Sequence, residues 1–169
     1  RKNFAMKLYY YKPDNGKNFG DEINPILWSY YFGDHFNEET NEVFLGIGTI
    51  LKAAHKIYPD SKFIIFGSGC HTENYKLKNR KKVYFVRGLL TANTLKLNSS
   101  FAITDPALLI RNVYPKEIFP KNKVFKFGYM PHFSVDNDSY KKIIEKMGYS
   151  YISPNSSPYE VIKKIMGCQ

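Results

Sequence analysis

The feature that most constrains the fold is an alternation. Short hydrophobic runs take turns with helix-period stretches, and each run is bounded by glycine, proline or polar clusters. Such alternation is the signature of βα units and of a mainly parallel sheet. The spacing predicts strands over Lys7 to Tyr11, Glu42 to Gly46, Lys62 to Gly67, Val83 to Val86 and Phe101 to Thr104. Between them it predicts helices over Asp21 to Tyr31, Thr49 to Ile57 and Leu89 to Leu97. The first helix carries Ile23, Ile26, Leu27, Tyr30 and Tyr31 on one stripe, with Pro25 tolerated in its first turn. The expected class is α/β, a Rossmann-like and mainly parallel sheet flanked by helices.

After Asp105 the pattern loosens into P-A-L-L-I-R-N-V-Y-P-K-E-I-F-P-K-N-K, which predicts a short helix followed by a connection. A second βαβα stretch then begins, with a strand over Val124 to Met130, a helix over Asp136 to Met147, a strand over Tyr149 to Ile152 and a helix over Pro158 to Met166. Ser157 ahead of Pro158, with Glu160 in the first turn, is a good helix start. The expected organisation is a Rossmann-like domain over residues 6–120, broken near Pro120 to Lys123, and the start of a second over residues 121–169. Two strands and two helices are too few to close that second domain. The chain therefore reads as the N-terminal portion of something longer. Met6 ahead of K-L-Y-Y-Y reads as a natural start, which leaves residues 1–5 as an extension.

Composition narrows the partners. With 43% hydrophobic residues, 14 tyrosines and 13 phenylalanines, the chain is globular and its core must be largely aromatic. A formal charge of +10 asks for a partner of negative sign: nucleic acid, an anionic membrane face, or a phosphorylated or carboxylate substrate. The basic residues stand singly or in short clusters such as Lys78 to Lys82, without an arginine-rich stripe, which argues against nucleic acid. Cys70 and Cys168 form no metal or disulfide pattern, so a reducing, cytoplasmic setting is expected. No run reaches the ~20 apolar residues of a membrane span. A peripheral contact with the inner membrane face stays open, as does a homo-oligomer.

The chemistry should lie in loops that follow strands, because ligands of open α/β sheets bind outside the carboxyl ends of the strands. N-F-G-D-E-I-N-P at 18–25 is the first such loop. Its plain reading is a turn in which Gly20 permits the bend and Asp21 caps the helix; its functional reading gives Asn18, Gly20 and Asp21 to a ligand. No phosphate loop or dinucleotide fingerprint is present. G-I-G-T at 46–49 offers Gly48 and Thr49, and G-S-G-C at 67–70 offers Gly67 and Ser68. Paired glycines let backbone amides approach a ligand, and the hydroxyls donate as well. Arg87, in V-R-G, either pairs with a surface acid or holds a carboxylate or phosphate in a bidentate grip. Asp105, in D-P-A, either caps a helix or presents an acid at a strand end. His132, in P-H-F, is structural or does acid–base and anion-binding work. His35, His55 and His71 receive no role.

In order along the chain, N-F-G-D-E-I-N, F-L-G-I-G-T-I-L, F-G-S-G, F-V-R-G-L-L-T-A-N-T-L, I-T-D-P-A-L-L and F-G-Y-M-P-H-F resemble the polysaccharide pyruvyl transferase family, including its succinoglycan-biosynthesis branch. The resemblance implies a two-domain fold of the glycosyltransferase-B type with its active site between domains. It also implies transfer of a pyruvyl group from phosphoenolpyruvate to a sugar or lipid-linked saccharide of a cell-surface polysaccharide, with no cofactor and no metal. Asn18, Gly20 and Asp21 would form the family's opening loop, Arg87 its strand-end arginine, Asp105 the acid of D-P-A and His132 the histidine of P-H. The family's S-x-S-L-H-G element, whose histidine is the favoured general acid, has no counterpart in these 169 residues. Transfer by these residues alone is therefore not expected. Two alternatives stand beside this one: a nucleotide-sugar glycosyltransferase on the same fold, and a non-catalytic anion- or glycan-binding module.

Overall fold

The computed structural model describes residues 5–14, 17–70, 75–76, 80–119 and 121–169. Residues 1–4 of the leading extension, His71, part of the Lys78 to Lys82 cluster, and Pro120 at the expected domain break lie outside the described residues. The chain forms two compact units. One comprises residues up to Tyr11 together with Asn24–Leu109, the other Lys12–Ile23 together with Ile110–Gln169.

The first unit is built on four parallel strands, β1 (Lys7–Tyr9), β2 (Glu42–Leu45), β3 (Lys62–Phe66) and β4 (Arg80–Phe85), in the spatial order β1-β2-β3-β4. The α/β class expected from the alternation is the class observed. Helices α1 (Phe19–Phe32, in this unit from Asn24 onward), α2 (Leu51–Ile57) and α3 (Leu89–Thr94) flank the sheet. Successive strand residues face opposite sides, which sorts the core into two layers. Val43, Leu45, Phe63 and Ile65 face one way and pack with Leu51 and Ala54 of α2 and Ala92 of α3. Phe44 and Phe66 face the other way and meet Trp28 and Phe32 of α1, edge to face, at centroid distances of 5.0 to 6.2 Å. An aromatic cluster thus fills the α1 face of the sheet.

A single parallel bridge joins Met6 to Phe36. Lys7 pairs with Val43, which sets Glu42 beside Met6 on the β2 side, so Phe36 lies along the opposite edge of β1. After β1 the chain therefore winds one way through α1 to Phe36, and then the other way through β2, β3 and β4. Right-handed crossovers in two directions put their helices on opposite faces, as found. The order reverses at β1, and in such sheets the reversal marks the ligand crevice.

The predicted fifth strand, Phe101 to Thr104, is not a strand. Asn98 Oδ1 accepts from Ser100 N–H at 2.9 Å and winds Ser99–Phe101 into a 3-10 turn, so only Ala102 bridges to Val86. A second 3-10 turn, Pro106–Leu109, ends this unit.

The second unit holds the short helix α4 (Ile110–Val113) and one βαβ element: β5 (Gly128–Tyr129), α5 (Asp138–Lys146) and the parallel strand β6 (Ser150–Tyr151). Helix α6 (Pro158–Met166) follows, and Cys168 bridges in parallel to Phe125. α6 has the predicted bounds, and Ser157 Oγ accepts from Glu160 N–H as its cap. α5 starts two residues later than predicted because Asn137, not Asp136, caps it by accepting from Tyr140 N–H at 2.9 Å. The first turn of α1 also belongs to this unit, and it begins two residues earlier than predicted. Its cap is Asn18, whose Oδ1 accepts from Gly20 N–H at 3.2 Å, rather than Asp21. Pro25 consequently lies inside the helix, where it has no N–H to give to the Asp21 carbonyl. Gly20 is helical and has no positive φ, so it makes no bend. Among the described residues no helix is long and apolar enough to cross a membrane.

Candidate functional site

Parallel strands bring their carboxyl ends to one edge, and in the first unit β2, β3 and β4 each end there in one of the predicted loops. The loops are knitted together. Gly69 N–H donates to the Gly48 carbonyl at 2.9 Å, and Arg87 N–H donates to the Ser68 carbonyl at 3.3 Å. Ser68 is fully buried, and its hydroxyl donates to the Gly46 carbonyl at 2.7 Å, so it is committed to the backbone of the neighbouring loop. Gly48 and Gly67 take positive φ of 112° and 93°. Pro106 lies within 2.5 Å of where a Gly67 Cβ would stand, which seats D-P-A against G-S-G. Asp105 Oδ1 accepts from Ala107 N–H at 2.9 Å and so caps its own turn.

Arg87 is the polar centre of this edge. Its Nη2 donates to Thr49 Oγ1 at 2.7 Å, joining the ends of β4 and β2. The guanidinium lies across Gly69: a Cβ at that position would stand 2.5 Å from Nη2 and 2.6 Å from Cζ. Arg87 is only half-buried, and among the described residues the one ion pair is Lys7 to Glu38, at 3.6 Å. No described carboxylate therefore neutralises Arg87, and among the described residues Thr49 Oγ1 is the side-chain atom its guanidinium bonds, in a planar fork at a sheet edge that suits a carboxylate or phosphate.

Two residues that support this edge were not singled out in the sequence. Asn24 is fully buried; its Oδ1 accepts from Ile47 N–H at 3.0 Å and from Trp28 Nε1 at 2.9 Å, and its Nδ2 donates to the Ile47 carbonyl at 3.3 Å. It clamps α1 to the G-I-G-T loop. The signal was an asparagine within an apolar helical stripe. Thr91 Oγ1 accepts from Cys70 N–H at 3.0 Å and so ties α3 to the end of the G-S-G-C loop.

Asn18, Gly20, Asp21 and His132 belong to the second unit. Asn18 Nδ2 donates to Asp21 Oδ2 at 2.6 Å, and Asp21 is only 6% exposed. Burial pushes the Asp21 carboxyl above its ordinary value; the Asn18 bond opposes the rise and Glu22 adds to it. The Phe19 N–H, which the helix itself cannot satisfy, donates to the Pro154 carbonyl at 2.7 Å. His132 is exposed, and its Nδ1 accepts from Ser134 N–H at 3.4 Å to cap the turn Phe133–Val135. With Nδ1 accepting, the neutral ring carries its proton on Nε2, which can act as a hydrogen-bond donor. His35 is exposed, and His55 Nδ1 meets Tyr75 Oη at 2.6 Å.

No family model matches the chain, and no solved structure matches it. Over 167 residues, 95% of its length, the chain is 30% identical to the succinoglycan biosynthesis protein ExoV of Rhizobium meliloti (strain 1021). The chain is similar to ExoV. It spans about half of that protein, 51% of its length. The similarity agrees with the succinoglycan-biosynthesis branch to which the six motifs pointed.

Proposed function

We infer that the chain is part of a polysaccharide pyruvyl transferase, which moves a pyruvyl group from phosphoenolpyruvate to a sugar of a cell-surface polysaccharide or its lipid-linked precursor. The observation that carries this reading is Arg87, braced by Thr49 across Gly69 and without a described carboxylate partner. The similarity to the succinoglycan biosynthesis protein ExoV supports the pathway class. Phosphoenolpyruvate presents both a carboxylate and a phosphate, and Arg87 matches either in geometry and charge. In the reaction the methylene carbon of the enol gains a proton, a sugar hydroxyl adds to the cation that develops at the adjacent carbon, and a second hydroxyl closes the ketal as phosphate departs. Arg87 holds the anion of the donor. His132 orients the donor through its Nε2–H, and to carry the proton its ring gives up the Nδ1 bond to the Ser134 N–H. The tyrosines of the first unit offer faces on which a sugar ring stacks. The proposed reaction needs no cofactor and would run in the cytoplasm or at the inner face of the membrane.

The test is phosphate release from phosphoenolpyruvate by the full-length protein with candidate saccharide acceptors. Acceptor-dependent release that is lost in Arg87→Ala supports the reading. Turnover of a nucleotide sugar with no release from phosphoenolpyruvate would replace it with a glycosyltransferase, and glycan binding without either turnover would replace it with a binding module.

A further inference from the structure

The second unit contains a carboxylate whose surroundings the reaction does not use. Asp136 follows β5 and the turn that His132 caps. Its Oδ1 accepts from Tyr151 Oη at 2.5 Å, while its Oδ2 accepts from Ser153 Oγ and, at 2.7 Å, from Asn155 Nδ2. Tyr151 closes β6, and Ser153 and Asn155 lie in the loop that leaves it. One side chain thus joins the loops leaving both parallel strands of the unit.

Each of those loops leads to a candidate residue. On the β5 side, Val135 N–H donates to the His132 carbonyl at 3.0 Å, and Asp136 N–H donates to the Phe133 carbonyl at 3.5 Å, so a single closed turn separates Asp136 from His132. On the β6 side, Pro154 stands between Ser153 and Asn155 and accepts the Phe19 N–H. Asn155 N–H also donates to Ser153 Oγ at 3.2 Å, and Ser156 N–H to the Ser153 carbonyl at 3.2 Å, which makes the loop a compact knot around the carboxylate. Phe19 is the residue between Asn18 and the Gly20–Asp21 pair. Three charge-assisted bonds at one carboxylate are individually stronger than neutral ones and fix geometry as well.

We propose that Asp136 is a positioning residue that locks the loops leaving β5 and β6 together, and thereby sets the placement of His132 on one side and of the Asn18–Asp21 segment on the other. Neither serine nor tyrosine alone can do this, because each reaches only one carboxylate oxygen. For its effect on turnover the assignment rests on the pyruvyl transferase reading; for its effect on the loops it does not.

The experiment therefore has two arms. Amide hydrogen exchange followed residue by residue compares the wild-type chain with Asp136→Ala, Asp136→Asn and Ser153→Ala. Loss of a charge-assisted bond should speed exchange of the Phe19 amide by about tenfold or more in Asp136→Ala, with smaller effects in the other two variants. Amides of β2 and β3 should keep their wild-type rates. In the full-length protein, Asp136→Asn should lower kcat about tenfold with a smaller, severalfold rise in the KM for phosphoenolpyruvate, since His132 shifts while Arg87 is untouched. An unchanged Phe19 amide in Asp136→Ala, or equal acceleration throughout the first unit, would overturn the assignment. Should Asp136→Ala not fold, Asp136→Asn and Ser153→Ala make the same comparison. A faster Phe19 amide in a protein that never releases phosphate would sustain the role of Asp136 and overturn the transferase reading alone.

Discussion

At position 69 the Arg87 guanidinium occupies the space that a side chain would need. Gly69→Ala would put a methyl group 2.5 Å from Nη2 and 2.6 Å from Cζ, and the guanidinium must then leave Thr49. With phosphoenolpyruvate as the proposed donor, the variant is expected to bind it about tenfold or more weaker, as is Arg87→Ala, with Thr49→Val intermediate. Isothermal calorimetry on the three variants checks this; undiminished binding in Gly69→Ala would remove Arg87 from the site. Asp21 sets a different dependence. Its folded-state carboxyl titrates above the ordinary 3.8, so the folded chain holds that proton more tightly than the unfolded one. The contribution to stability is therefore full below the ordinary value and is lost as pH rises through the raised folded value. Asp21→Asn should flatten the fall of unfolding free energy across that window in denaturant titrations, and equal slopes in both proteins would contradict the assignment.

Helix α1 is the element on which the first unit turns, and Asn24 is its fastening. Asn24→Ala would leave a buried N–H and carbonyl of Ile47 and the Trp28 indole without their partner. At about 1 kcal/mol or more for each unmatched group, the variant should lose roughly 3 kcal/mol, read as a lowered denaturant midpoint. The elements differ in how much of themselves the sequence discloses. α6 is legible to the residue because Ser157, Pro158 and Glu160 carry its start locally. α1 is legible as a helix, yet its first turn is hidden by an asparagine and a glycine that serve equally well in a loop. Phe101 to Thr104 has the composition of a strand and loses it to the neighbouring turn that Asn98 caps. The candidate edge was visible as loops after strands, since parallel strands must align their carboxyl ends. What local pattern does not carry is the pairing across loops: Arg87 with Thr49, Ser68 with the Gly46 carbonyl, and Asp136 with Tyr151 of β6 and two residues of the loop that leaves it. Those partners are 15 to 38 positions apart and become neighbours only when the sheets form.

Across the whole molecule a net charge of +10 has no acidic counterpart, and only one ion pair appears among the described residues. Such a field raises the local concentration of anions and speeds their arrival, and it is screened by salt over a Debye length of about 8 Å at physiological ionic strength. A donor that carries both a phosphate and a carboxylate feels this field; a neutral saccharide does not. Affinity for phosphoenolpyruvate should therefore fall severalfold as sodium chloride is raised from about 0.05 M to about 0.5 M, whereas affinity for an uncharged acceptor fragment stays constant. Arg87→Ala tests the origin of the effect. The wider field survives in that variant, so its residual binding should keep most of the salt slope while losing the affinity that the braced guanidinium supplies. If the slope vanishes with Arg87, one side chain and not the molecular charge governs the capture of the donor; if donor and acceptor respond alike, the charge serves an anionic surface rather than the substrate.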